Sequence, residues 1–339
     1  EEIRQGVRIV RAPVLFRVSK GVIMPSFGFL AWKMALSHEV IHLHLPQFDA
    51  AGVALRGRLL GKPTVITYHC DLDLPQGFFN WIVNQMVHFM NYLAGTLAHG
   101  IGAYTEDFAA HSPYLRYFRE KVEVILPPVK MPEVPRERVQ SFREEHNPHG
   151  KGPIIGMATR FAAEKGVEVL LKALPSVLER YPDALVLYAG QYRQVMGEEA
   201  YFNRLIPRIK SYQESGQWKF LGVLTPQEMA AFYPNLDVLV VPSLNSTETF
   251  GLVQIEAMIK GTPSIAANLP GVRRPPQMTG MGEVVTIGDH EALAEALLKI
   301  FDSPENYSGD PQAVKEQFEP LKNARAYQAL YRKIRKEMG

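Results

Sequence analysis

Two α/β halves built on parallel sheets are the fold class this sequence predicts, and three observations predict it. The chain has 339 residues, 46% hydrophobic and 21% charged, enough for two cores rather than one. Short β-branched runs alternate with longer amphipathic segments, the pattern of βαβ units. A stretch rich in proline and charge, residues 127–153, separates one set of runs from the other.

Taken in order, the first half offers strands at Val7–Val10, Val40–Leu43, Thr64–Thr67, Gly100–Ala103 and Val122–Ile125. The proline-rich stretch reads as a linker carrying one short helix, with a hinge near residues 130–150. Strands resume at Ile154–Met157, Leu185–Ala189, Trp218–Leu221, Val238–Val241, Pro263–Ala266 and Glu283–Thr286. Helical patterns lie between them, for example Gly166–Arg180 and Gly251–Lys260. A long helix, roughly Pro311–Lys336, closes the chain on a basic end. The expected domains are 1–135 and 150–315, with a terminal helix over 316–339 that packs back on the first.

A net charge of +2 advertises no nucleic-acid surface. The lone cysteine, Cys70, excludes an internal disulfide and suits a reducing compartment. No window is apolar for long enough to read as a membrane span, and no signal-peptide pattern opens the sequence. A cytoplasmic protein is expected, with peripheral contact at a membrane.

The chemistry concentrates in "NSTETFGLVQIEAM", Asn245 to Met258. Phe250-Gly251 marks a strand-to-helix turn, where open α/β sheets bind ligands and where free helix amides meet anions. Glu248 stands before the turn and Glu256 about one and a half turns into the helix. Carboxylates accept hydrogen bonds from vicinal hydroxyls, so the spacing brackets a ligand with phosphate in its middle and hydroxyls at both ends. A nucleotide sugar has that layout. "GMATRFAAEKGVEVLLKAL" adds Arg160 and Lys165 beside another helix start, two cations able to neutralise a diphosphate. Read alone, these are surface charges, and Glu164 beside them reads the same way.

In the first half, "EVIHLHLP" and "VITYHCDLD" both end strands with histidine. His42 and His44 share one face of their strand, and with His69 they could form a three-histidine metal site of the hydrolase kind. No further ligand with the right spacing follows, and His42 also reads as a satisfied core histidine.

"PSLNSTETFGLVQIEAMIKGTPSIAANLPGV" resembles the E-x7-E region of the family 4 glycosyltransferases, retaining enzymes of GT-B fold. "GMATRFAAEKGVEVLLKAL" and "FLGVLTPQEMAAFYPNLDVLVVPS" resemble neighbouring segments of that family, so the likeness covers essentially residues 150–300. It implies two Rossmann-like domains facing a cleft, and transfer of a hexose from a UDP- or GDP-sugar to a hydroxyl of a lipid, glycan or small molecule. It implies that Glu256 holds the ribose and Glu248, with Thr249, Phe250, Gly251 and Leu252 around it, the donor sugar. Arg160 and Lys165 would hold the diphosphate, and the backbone at Gly222 and Val223 would face the base. His69 would face the donor sugar and its phosphate, and His44 the acceptor side. The resemblance implies no metal and no cofactor beyond the donor. "AGQYRQVMGEE" replaces the acidic, glycine-rich loop common in relatives, and "LPPV" replaces their "IPNG". Relatives begin with a strand, a "GGxG" loop and a helix before anything like "EEIRQGVRIVRAP", so the first one or two βα units are expected to be missing. The rival readings are a nucleotide-sugar binder with impaired transfer, a GT-B epimerase of sugar nucleotides, and the histidine-metal hydrolase.

Between Asp73 and Glu106 no Lys, Arg, Asp or Glu occurs. "FFNWIVNQMVHFMNYLAGTLAHGI" is apolar nearly all round. It reads first as a buried or partly covered helix over about Phe78–Ala94, and second as a surface for lipid contact or self-association. Asn80, Asn84, Gln85, His88 and Asn91 argue against a true span.

Overall fold

The computed structural model describes residues 1–18, 21–72 and 77–339 and divides into two compact units. The first comprises Glu1–Ala103, Ser112–Val124 and Tyr327–Gly339, and the second Tyr104–His111 and Ile125–Ala326. Asp73, which bounds the uncharged stretch, lies outside the described residues, as does the side chain of Asn80.

The first unit opens on two antiparallel ribbons, β1 (Glu2–Arg4) with β2 (Val7–Ile9) and β3 (Phe16–Val18) with β4 (Gly21–Ile23). Val7–Val10 was expected in the parallel sheet and does not join it. Gln5 and Gly6 both take positive φ, which closes a two-residue hairpin and returns the chain alongside itself. Then come α1 (Phe27–Ser37), β5 (Ile41–Leu45), α2 (Ala50–Leu59), β6 (Thr64–Tyr68), α3 (Phe78–Leu97), β7 (Gly100–Ala103) and β8 (Val122–Val124). The strands form a parallel sheet in the order β5-β6-β7-β8. β6 and β7 are buried along their whole length, as continuous apolar strands covered on both faces should be.

The second unit contains α4 (Glu106–His111), α5 (Arg136–His146), β9 (Ile154–Ala158), α6 (Val167–Arg180), β10 (Leu185–Ala189) and α7 (Glu199–Glu214). It continues through β11 (Trp218–Gly222), α8 (Pro226–Phe232), β12 (Val238–Val241), α9 (Leu252–Ile259), β13 (Ser264–Ala267), α10 (Arg274–Thr279), β14 (Gly282–Val285) and α11 (His290–Asp302). Six parallel strands run in the order β11-β10-β9-β12-β13-β14. That is the doubly wound 3-2-1-4-5-6 arrangement, whose direction reverses between β9 and β12. The helices bury regular stripes on it: α6 sets Val167, Leu170, Leu171, Leu174 and Val177 against the sheet.

Two boundaries differ from the expected ones. The chain enters the second unit at Ile125, earlier than the hinge expected near 130–150. The reason is packing: Phe142 of α5 buries against Phe232, Asn235 donates to the Val139 carbonyl, and Lys260 donates to the Pro132 carbonyl. The closing helix is two helices, α12 (Pro311–Gln317) and α13 (Pro320–Met338). Pro320 has no N–H to continue a helix from before it and serves instead as a helix start. From Tyr327 onward α13 belongs to the first unit. Among the described residues no helix is long and apolar enough to cross a membrane.

Candidate active site

The reversal between β9 and β12 opens a crevice at the carboxyl ends of both strands, and the loops leaving them build the site. The β9 loop runs through Arg160 to the short turn Ala163–Lys165 and Gly166, which starts α6. The β12 loop runs from Pro242 to Gly251, which starts α9. The two loops are tied together. Leu244 donates its amide to the Glu164 carbonyl at 2.8 Å. Gly166 has φ +71, and a Cβ there would lie 2.0 Å from the Pro242 carbonyl oxygen, so only glycine lets the loops approach this closely.

This junction brings Lys165 to Glu248. The ammonium donates to the carboxylate at 2.7 Å, and both side chains are largely covered, at 15% and 22% exposed. They line a cavity of about 230 Å³ together with Thr159, Ser243, Gly251 and Leu252. Arg160 is placed differently: its guanidinium bonds Glu164 at 2.9 Å, stands half exposed and does not line that cavity. Glu164 is therefore no isolated surface charge, since it holds Arg160 by its side chain and the β12 loop by its backbone.

Around Gly251, Thr249 and Phe250 are buried and Leu252 is exposed. The turn is anchored by Gln254, fully buried, whose amide nitrogen donates to the Phe250 and Val272 carbonyls while its oxygen accepts from Ser264. One turn and a half into α9, Glu256 accepts from the Tyr233 hydroxyl at 2.6 Å. Burial first and the Glu256 charge second push that phenol well above its ordinary range, so it stays protonated and donating. At the end of β11, Gly222 takes positive φ, its carbonyl accepts from the Gly190 amide, and Val223 is exposed. In "AGQYRQVMGEE", Glu198 accepts from the Ala163 amide at 3.0 Å and so braces the Lys165 turn from its far side.

Sequence reading missed Gln254, Tyr233 and Glu198. A polar residue on the inward face of "LVQIEAM" is the one local signal for Gln254. Tyr233 and Glu198 act across the fold and leave no such mark.

In the first unit, His42, His44 and His69 form a stacked row with centroid spacings of 4.9 and 5.1 Å. His44 Nδ1 and His69 Nε2 are 2.8 Å apart and share a hydrogen bond. Both nitrogens of His42 are engaged, with the Tyr331 hydroxyl at 2.5 Å and Thr67 Oγ1 at 2.7 Å, while Thr67 also bonds Tyr327. His42 is thus satisfied within its unit and has no nitrogen left for a metal. Among the described residues no group of three His, Cys, Asp or Glu is disposed to hold one. Near this row, Asp71 is buried and accepts from Tyr68 and Ser112.

The row has a consequence for pH. Burial, then His44 and His69, hold the His42 imidazole down at about 4, and burial lowers His44 and His69 as well. An unfolded chain protonates these rings near their ordinary value, so between about pH 6.5 and 4 it takes up protons that the folded chain refuses. Stability should therefore fall as pH falls through that window. Urea midpoints should drop more steeply there for the native chain than for His42→Gln, and parallel slopes would refute this account.

The profile of the family described as Glycosyl transferases group 1 matches residues 139–316, more than half of the chain. The chain belongs to that family. Among its relatives, the phosphatidyl-myo-inositol mannosyltransferase of Mycobacterium leprae is 34% identical over 136 residues, 40% of this chain and 33% of the relative. The sulfoquinovosyl transferase SQD2 of Arabidopsis thaliana is 27% identical over 244 residues, 69% of this chain and 43% of the relative. These matches thus span between a third and a little over two fifths of the relatives' lengths. Anabaena HepE, crystallised in complex with UDP, superposes with a TM-score of 0.71 at 20% identity over 91% of this chain and 84% of that one. At that identity the likeness shows fold, and the fold of this group 1 member is that of the GT-B glycosyltransferases. Its matched segment, 139–316, holds all of the Lys165–Glu248 site.

Proposed function

We propose that this chain is a retaining glycosyltransferase of family 4 type, which moves a hexose from a UDP- or GDP-sugar to a hydroxyl acceptor. The observation that carries the reading is the Lys165–Glu248 pair at the sheet's reversal point, with Glu256 on the helix that leaves it. Lys165 would exchange its bond to Glu248 for the donor diphosphate and stabilise the charge that grows as the C1–O bond breaks. Arg160, exposed on its tether to Glu164, can swing to the same phosphates. Glu248, released from Lys165, would accept from the hexose hydroxyls, and Glu256, held by Tyr233, from the ribose. The acceptor oxygen would bond C1 on the face the phosphate leaves, its proton passing to the departing phosphate oxygen, so that anomeric configuration is kept.

The relatives' names, a mannosyl and a sulfoquinovosyl transferase, support hexosyl transfer as the reaction class. Because Lys165 and Arg160 supply the positive charge, no metal is required. Incubating the chain with UDP- and GDP-hexoses and simple hydroxyl acceptors, with and without chelator, tests the proposal by NMR of the product anomer. The expected product keeps the donor's configuration and forms equally in chelator. An inverted product, or activity lost to chelator and restored by a divalent metal, would overturn it.

A further inference from the structure

Helix α3 leaves a long apolar face uncovered. Phe78, Trp81, Ile82, Met86, Phe89 and Tyr92 recur at helical spacing along one face and all of them stand exposed. Gln85 is exposed among them, and the covered side carries Val83, Val87, Met90 and Ala94 together with three polar side chains. Asn84 and His88 are half-buried and Asn91 is buried, its side-chain oxygen accepting the Gln47 amide and its carbonyl the Tyr114 hydroxyl. The helix is thus partly covered rather than buried, with one face open. The neighbours extend the apolar face, since α2 packs on α3 and α1 on α2. Both expose apolar side chains of their own, Leu55 and Leu59 on α2 and Phe29, Trp32 and Leu36 on α1. Among the described residues, twenty-one of the twenty-six large exposed hydrophobic side chains belong to the first unit, which is the smaller of the two. So large an apolar surface marks a site of interaction.

Charge selects the partner. The first unit has sixteen lysines and arginines against nine aspartates and glutamates, a formal +7. The second has twenty-one against twenty-six, a formal −5, so the near-neutral total conceals two opposite charges. Cations stand beside the apolar face: Lys33 and Arg58 are exposed on α1 and α2. At the far end of α3, Arg116 bonds the Tyr117 hydroxyl, and that ring meets Tyr92 edge-on. Two copies joined through this face would oppose two +7 surfaces. An anionic bilayer satisfies both features, because Trp, Tyr and Phe settle at the headgroup level while Lys and Arg meet anionic lipid.

We propose that the first unit docks on an anionic lipid surface through the outer face of α3, with α1 and α2 beside it. A corollary, that the hydroxyl acceptor is carried on that surface, rests on the transfer reading above; the docking itself does not.

Co-sedimentation with vesicles of phosphatidylcholine, alone or mixed with phosphatidylglycerol, tests the docking alongside light scattering of the protein alone. Binding is expected on the mixed vesicles, weaker on phosphatidylcholine and reduced by salt. The Trp81→Ser/Phe89→Ser variant should bind by roughly tenfold less or worse, as loss of two buried aromatics implies. Both side chains are exposed, so its melting point should match the parent's. Lys33→Glu/Arg116→Glu should weaken binding to the anionic vesicles alone. A monomer that ignores both vesicles would overturn the proposal, and so would an oligomer that binds neither and dissociates in the aromatic variant. UDP and GDP titration on the same variants should be unchanged, which separates failure of docking from failure of the donor site.

Discussion

Lys165→Ala should lower turnover by roughly 100- to 1000-fold, the usual cost of removing a preorganised group that stabilises developing charge. The ammonium is held in place by Glu248 at 2.7 Å and is only 15% exposed, so it meets the donor already oriented and partly dehydrated. Bulk cations cannot replace it there. The substitution also leaves Glu248 covered and unpaired, which costs stability as well as activity. Lys165→Met combined with Glu248→Gln removes that second effect. The double variant should melt closer to the parent than Lys165→Ala does, yet remain as inactive. Recovery of turnover in the double variant would mean that Lys165 is a structural partner of Glu248 and no more.

Glu248→Gln should reduce turnover by roughly 100-fold while leaving affinity for a bare nucleoside diphosphate unchanged or tighter. In the free protein Glu248 competes with phosphate for Lys165, so neutralising it frees the cation. A hexose-bearing donor should gain nothing, because the amide accepts fewer hydrogen bonds from sugar hydroxyls than a carboxylate does. Steady-state kinetics with the full donor, set beside binding of the diphosphate, reads both halves of the expectation. Loss of diphosphate affinity in Glu248→Gln would assign the residue to the phosphates.

The second unit was legible because its strands, Ile154–Ala158, Leu185–Ala189 and Val238–Val241 among them, are buried on both faces and read as continuous apolar runs. The first unit was less so. Strands of three residues such as Glu2–Arg4 and Phe16–Val18 are too short for any period to register. α3 allowed two readings for a physical reason: an uncharged apolar helix suits a core or an interaction surface, and only its neighbours decide which face is covered. At the site, the residue types were readable but their partnership was not. Lys165 and Glu248 are 83 residues apart, and only the strand order that sets β9 beside β12 brings them together. The same holds for Tyr233 on Glu256 and for Glu198 on the Lys165 turn.

The central claim is that the sheet's reversal point is a donor site in which Lys165 takes the diphosphate and Glu248 the sugar. Calorimetric titration of UDP and GDP into the parent, Lys165→Ala and Glu248→Gln tests it most directly. The account predicts binding of one of the two by the parent, at least about tenfold weaker binding by Lys165→Ala, as expected for a lost charge-assisted bond, and no loss in Glu248→Gln. Equal losses in both variants, or binding indifferent to both, would contradict it.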